Sequence, residues 1–199
     1  MVLRKSRLTF VRIAALPVVL LSVLVGSPLA RWPALEEGVE LVGYVFIGVG
    51  LAFRLWSWLY MGERKSRGLV TDGPYSVCRN PLYLGTALIA IGLGMCLANL
   101  VVIILTLLVV IPLHVLVALA EEEHLEEAFG EQYLAYKERV PRFIPAPSLY
   151  CSRETIEVTP YIVRKAGRDA LLVVLAPSVA GVVHLLQESG VIPVLWRLL

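Results

Sequence analysis

Charge is scarce in this chain and cysteine scarcer still. Only 17% of its 199 residues are Asp, Glu, Lys or Arg, too few to clothe a water-soluble domain of this length. Three cysteines (Cys78, Cys96, Cys151) make no even framework and no CxxC pair. That removes a disulfide scaffold, a structural metal and a redox pair from consideration. No basic stripe interleaved with aromatics is present, and the formal net charge is only +2, so nucleic acid is not an expected partner. Repeats and low-complexity tracts are missing too. What is present is apolar: 58% of residues are hydrophobic and the mean hydropathy is +0.76. Composition therefore predicts an integral membrane protein, all-α, built as a polytopic helical bundle.

Taken in order, the apolar runs predict five spans. Arg4, Lys5 and Arg7 precede a run from Leu8 to about Ala30. Its Ser27-Pro28-Leu29-Ala30 end resembles a signal-peptide cleavage site, but Pro28 fits cleavage poorly and the run is long enough to span, so a retained first span is expected. Arg31–Glu40 reads as a polar loop and Leu41–Tyr60 as the second span, closing on an interfacial cluster of Trp56, Trp58 and Tyr60. Arg54 lies inside that span, where a charge either snorkels to the interface or is paired at a functional position. Spans follow at Leu82–Leu97 and Leu100–Ala120, joined so closely at Asn99 that they must form an antiparallel hairpin. Pro112 and His114 interrupt the latter, and His114 reads either as a hydrogen-bonded packing residue or as part of a site. A fifth span is expected over Ala170–Leu186, with an interfacial tail at Val191–Leu199. Three basic regions (Arg4–Arg7, Arg64–Arg67 and Lys137–Arg168) fall on one side of such a topology, which makes that side cytoplasmic. This reading divides the chain into residues 1–40, a core at 41–145, and a C-terminal part at 146–199.

The most charged segment is Glu121–Pro145, EEEHLEEAFGEQYLAYKERVPRFIP. Glu121, Glu122, Leu125, Phe129, Tyr133 and Tyr136 recur at three and four residues, one face of a helix. Gly130 interrupts the helix and Pro141 ends it. Paired carboxylates, tyrosines and an arginine at a membrane boundary suit a charged ligand; a solvated juxtamembrane helix fits the same spacing.

Two strings carry a resemblance. Gly73-Pro74-Tyr75 followed by Arg79-Asn80-Pro81-Leu82-Tyr83-Leu84-Gly85, together with E-E-x-x-L-x-x-x-F-G-x-x-Y-x-x-Y-x-x-x-V-P, resembles the isoprenylcysteine carboxyl methyltransferase family. The likeness covers roughly residues 41–145. Those membrane enzymes transfer a methyl group from S-adenosylmethionine to the carboxylate of a prenylated cysteine. The cofactor half is shared with phospholipid N-methyltransferases and, more distantly, with NADPH-dependent sterol reductases. Where the prenylcysteine enzymes usually carry Arg-His-Pro, this chain has Arg79-Asn80-Pro81. Asparagine keeps one hydrogen-bond function of histidine but not its charge, and Asn-Pro-x-Tyr is similar to the phospholipid enzymes.

The resemblance implies a cofactor site on the cytoplasmic face. S-adenosylmethionine brings a carboxylate for Arg79, an ammonium and ribose hydroxyls for Glu121 or Glu122, and an adenine or sulfonium for Tyr75, Tyr83, Tyr133 or Tyr136; Asn80 is placed to hydrogen-bond adenine or carboxylate. The family pattern assigns Arg139 to the acceptor. An ionised carboxylate needs only a cation to hold it, whereas an amine must first lose a proton and favours a neighbour such as Glu122. The expectation is thus Arg139 and Glu122 as catalytic, Arg54, His114 and Arg139 as substrate-binding, no metal, and a lipid or prenylated acceptor entering from the membrane.

Overall fold

The computed structural model describes residues 28–62 and 68–191. Nearly all of the expected first span, the Arg64–Arg67 loop and the tail beyond Val191 lie outside them. Among the described residues there is no strand, and the regular structure is helical as composition demands. The helices are α1 (Pro33–Met61), a single turn α2 (Pro74–Val77), α3 (Pro81–Cys96), α4 (Leu100–Leu105), α5 (Ile111–Phe129), α6 (Glu131–Arg139) and α7 (Pro160–Glu188).

Helix α1 starts at Pro33, so the segment expected as a polar loop is its first turns. Proline at a helix start forfeits an N–H that would be unpaired anyway, and Glu36 in the first turn faces the positive end of the helix dipole. Between α4 and α5 the backbone widens into a π segment, Thr106–Val110. Pro112, just beyond it, has no N–H to offer the carbonyl four residues back. Helix α1 and the stretch Val102–Phe129 are long and apolar enough to cross a membrane, while α3 is apolar but only 16 residues long.

The chain divides into two compact units. The first holds residues to Val49, Ala87–His114 and Leu172 onward. Its helices touch backbone to backbone: a Cβ on Gly43 would stand 2.8 Å from the Gly92 oxygen, and one on Gly92 2.6 Å from the Gly43 oxygen. The expected hairpin is there, turning through Ala98, which adopts a positive φ of 43°. Buried Asn99 caps the next helix, its Oδ1 accepting from the Val102 N–H at 3.2 Å. Leu41, Val45, Leu100, Ile104 and Leu108 of this unit present exposed apolar surface.

The second unit holds Gly50–Thr86 and Val115–Leu171. Tyr133, Tyr136 and Val140 form its buried cluster, with Leu69, Leu125 and Phe129 packed against them. Helix α5 runs without a break from its apolar part into the charged stretch and ends at Gly130, whose φ is 52°. Helix α6 then carries the tyrosine pair.

Candidate functional site

In the second unit the two motif segments meet through backbone contacts. The Arg79 and Asn80 N–H groups donate to the Pro141 and Arg142 carbonyls at 2.8 and 3.1 Å, the Ala146 N–H to the Val77 carbonyl at 2.9 Å, and the Gly73 N–H to the Cys151 carbonyl at 2.7 Å. Ser76 staples the same pair: its hydroxyl donates to the Gly73 carbonyl at 2.7 Å and accepts from the Cys151 N–H at 2.9 Å. Gly73 turns with φ 61° directly against the Tyr60 ring, 2.3 Å from where a Cβ would stand. Only glycine meets both demands. The Tyr136 hydroxyl, donating to the Tyr75 carbonyl at 2.7 Å, ties α6 to α2. Residues 141–151 are therefore a strap laid over residues 73–80.

The strap and α5 converge on Glu122, which is 4% exposed. Its Oε1 accepts from Asn80 Nδ2 at 2.6 Å. Arg142 Nε donates to both carboxylate oxygens at 3.3 and 3.2 Å, and Arg79 Nη1 stands 3.3 Å from Oε2. A buried carboxylate is tolerated only with such company. One negative charge thus lies between two guanidiniums, leaving the trio at net +1. Beside it, Tyr83 donates to Glu121 Oε2 at 2.7 Å.

Part of this cluster lacks hydrogen-bond partners. Arg79 Nε and the hydroxyls of Tyr75 and Tyr133 are buried without one among the described residues, and Arg79 Nη1 has only its ion contact with Glu122. Buried polar atoms are rarely left so unless something else meets them. Burial, aided by the Glu121 charge, holds the Tyr75 hydroxyl far above the ordinary phenol range. Burial likewise pushes Tyr133 up to about 12, the Glu122 charge adding to it and Arg79 opposing, and raises Tyr136 strongly. All three are neutral hydroxyls at physiological pH.

Alongside lies a groove of about 560 Å³, lined by Leu119, Glu122, Glu123, Glu126, Glu127, Lys137 and Arg142. Lys137 is paired with Glu126 at 2.7 Å. Arg139, the expected acceptor cation, is exposed on the last turn of α6 and is not part of this lining. Val140 leaves the helix in an extended conformation, so the chain turns away from the helix directly after Arg139. Arg142, not singled out as a site residue by the sequence, stands in the groove instead.

The other two sequence candidates lie elsewhere. Arg54 is paired: its Nε and Nη2 donate to the two oxygens of Asp169 at 2.7 and 2.6 Å, and Nη1 donates to the Thr86 hydroxyl. Trp58 Nε1 reaches the same carboxylate at 3.3 Å. Of the two roles open to Arg54, pairing is the one the structure displays. His114 belongs to the first unit, where its Nδ1 donates to the Val110 carbonyl at 2.8 Å. Among the described residues no group of His, Cys, Asp and Glu is arranged to hold a metal ion.

S-adenosylmethionine fits the donor set: the open Nε of Arg79 suits its carboxylate, and two neutral phenols suit its hydroxyl and ring groups. Comparison with known proteins agrees in kind. Residues 39–132 match the phospholipid methyltransferase family. The chain is 38% identical over 139 residues to the cobalt-zinc-cadmium resistance protein CzcN of Cupriavidus metallidurans, covering 69% of this chain and 63% of that protein. It is 34% identical over 140 residues to the nickel-cobalt-cadmium resistance protein NccN of Alcaligenes xylosoxydans xylosoxydans, covering 69% and 64%. With the protein-S-isoprenylcysteine O-methyltransferase of Schizosaccharomyces pombe it shares 38% identity over 83 residues, 42% of this chain and 35% of that enzyme. The chain thus spans just under two thirds of the two resistance proteins. No solved structure matches it significantly. The motif loop and the paired glutamates fall within the matched region, and over that region the chain is similar to the isoprenylcysteine and phospholipid methyltransferases.

Proposed function

We propose that the chain is an integral-membrane, S-adenosylmethionine-dependent methyltransferase that methylates a carboxylate on a lipid-tailed acceptor. The observation that carries this reading is the buried, unpartnered polar edge of Arg79, Tyr75 and Tyr133 around Glu122. Arg79 would hold the cofactor carboxylate, with Tyr75, Tyr83 and Tyr133 against its other groups. The cofactor supplies an activated methyl on a sulfonium. What remains for the protein is to align donor and acceptor and to exclude water. Asn80, Arg79 and Arg142 already occupy both oxygens of Glu122, so this carboxylate orients the two arginines rather than acting as a base. A topology of five spans with the site facing the cytoplasm accords with the distribution of basic residues.

Titration of detergent-solubilised protein with S-adenosylhomocysteine and with NADPH tests the cofactor. Saturable S-adenosylhomocysteine binding is expected, and binding of NADPH alone sinks the proposal in favour of a reductase. A second reading, methylation of a phospholipid amine, is supported by Glu123 and Glu127 on the groove lining and by the phospholipid methyltransferase match. The pH profile separates the two: a carboxylate acceptor gives a rate nearly flat from neutral to mildly alkaline pH, an amine a rate that climbs.

A further inference from the structure

We infer that Arg142 is the residue that holds the oxyanion of the lipid-tailed acceptor, with Glu122 setting it beside the cofactor cation Arg79. The inference rests on the methyltransferase reading for its reaction, but its geometry stands alone. Four other cations of this unit are committed or enclosed. Arg54 has given three nitrogens to Asp169 and Thr86. Lys137 is paired with Glu126, and Arg153 with Asp72 at 3.2 Å. Arg79 has only 8% of its side chain exposed. Arg142 is engaged through Nε alone, and its two terminal nitrogens meet no hydrogen-bond or ion-pair partner among the described residues. Its side chain is 39% exposed and lines the groove.

Two further features suit an anion there. The backbone is fixed, because the Arg142 carbonyl accepts from the Asn80 N–H at 3.1 Å and Asn80 Nδ2 at 3.4 Å, so the guanidinium is presented from a rigid strap. The Glu122 carboxylate is shared, since Arg79 and Arg142 both stand against it, while Glu123, Glu126, Glu127 and Lys137 line the rest of the groove. A guanidinium fork with both terminal nitrogens open matches a carboxylate or a phosphodiester, planar or tetrahedral oxyanions that accept paired bonds. Either oxyanion, on a prenylated cysteine or on a phospholipid, would sit across Glu122 from the methyl donor. Leu119 on the same lining offers contact to the adjoining tail.

Equilibrium binding to the full-length protein in detergent tests this without methyl transfer. The probes are N-acetyl-S-farnesylcysteine against its methyl ester, and phosphatidylethanolamine against diacylglycerol. The parent should prefer at least one oxyanion-bearing probe over its partner that lacks the oxyanion by about tenfold or more, and the preferred pair identifies the source of the oxyanion. Arg142→Gln should erase that preference while S-adenosylhomocysteine affinity stays within about threefold. Arg142→Lys, which keeps a cation beside Glu122, should restore folding where glutamine fails and recover the preference only in part, because one ammonium replaces a two-pronged fork. Arg139→Gln should have the smaller effect. The inference is overturned if the parent shows no oxyanion preference, if Arg139→Gln matches Arg142→Gln, or if Arg142→Lys loses S-adenosylhomocysteine while keeping the preference. That last result would make Arg142 a prop for the cofactor side. Failure of S-adenosylhomocysteine to bind the parent refutes the methyltransferase reading instead, and the probe comparison still reads out.

Discussion

Two arginine–carboxylate clusters in the same unit are built on opposite plans. At Arg54 a carboxylate serves one guanidinium: both Asp169 oxygens are met, the third nitrogen reaches Thr86, and Trp58 closes the set. At Glu122 one carboxylate is divided among Arg79, Arg142 and Asn80. Arg79 Nε and the nearby tyrosine hydroxyls are left buried and unmatched. A saturated ion pair fixes structure, and an under-supplied one leaves donors for a ligand. By that criterion the first cluster bolts α1 to α7 and the second is the proposed site.

Substitutions that treat the clusters alike should therefore give unlike results. The largest effect is expected at Glu122→Ala, which leaves two guanidiniums facing each other without a counter-ion. Breaking a buried pair in this way costs about 3–5 kcal/mol, so both thermal stability and S-adenosylhomocysteine binding should collapse in melting and titration experiments. Unchanged binding would end the assignment of Glu122 as the centre of the site. Next comes Asp169→Ala, which should destabilise strongly yet leave S-adenosylhomocysteine affinity within about threefold in whatever fraction stays folded. A large affinity loss there would erase the distinction between the clusters. Asn80→Ala removes a bond to a charged group, worth about 1.5–3 kcal/mol, and should weaken S-adenosylhomocysteine by roughly tenfold to a hundredfold.

A pH titration sharpens the same comparison more gently. Tyr133 is neutral when folded up to about 12, against an ordinary phenol near 10. Its burial therefore carries no penalty below pH 10, and stability should be lost progressively as pH rises from 10 towards 12, because only the unfolded chain gains by ionising. Denaturant midpoints flat through that window in the parent, or equally steep in Tyr133→Phe, would contradict the burial. The smallest effect belongs to Glu127→Ala. Its side chain is 75% exposed, and cofactor affinity should stay within about twofold.

Much of this was legible in the sequence wherever contacts are local. Spacing along one helix face brought Glu122, Tyr133 and Tyr136 together, Gly130 marked the break, and Asn99 marked the hairpin turn. Legibility stopped where the regular period stopped. Arg139 was assigned from the family pattern; the helix ends at that residue, and it is Arg142, beyond the helical period, that lines the groove. The partner of Arg54 lies 115 residues away, and no local pattern announces it. The strap was hidden for a different reason: its pairing uses backbone groups, which are the same for every side chain. Pro33 was a helix start concealed by the polar residues after it, whose low hydropathy read as a loop.

The strap also sets an order of events. The Asn80 amide waits for a carbonyl 62 residues further on, so the motif loop leaves the ribosome long before anything can close over it. Helices α3 to α6 form from local contacts, but the ligand-facing geometry of Arg79 needs residues 141–151 in place. Closing so long a loop is slow and comes late. During synthesis the protein is first a set of helices, and only afterwards does the strap close over the motif loop.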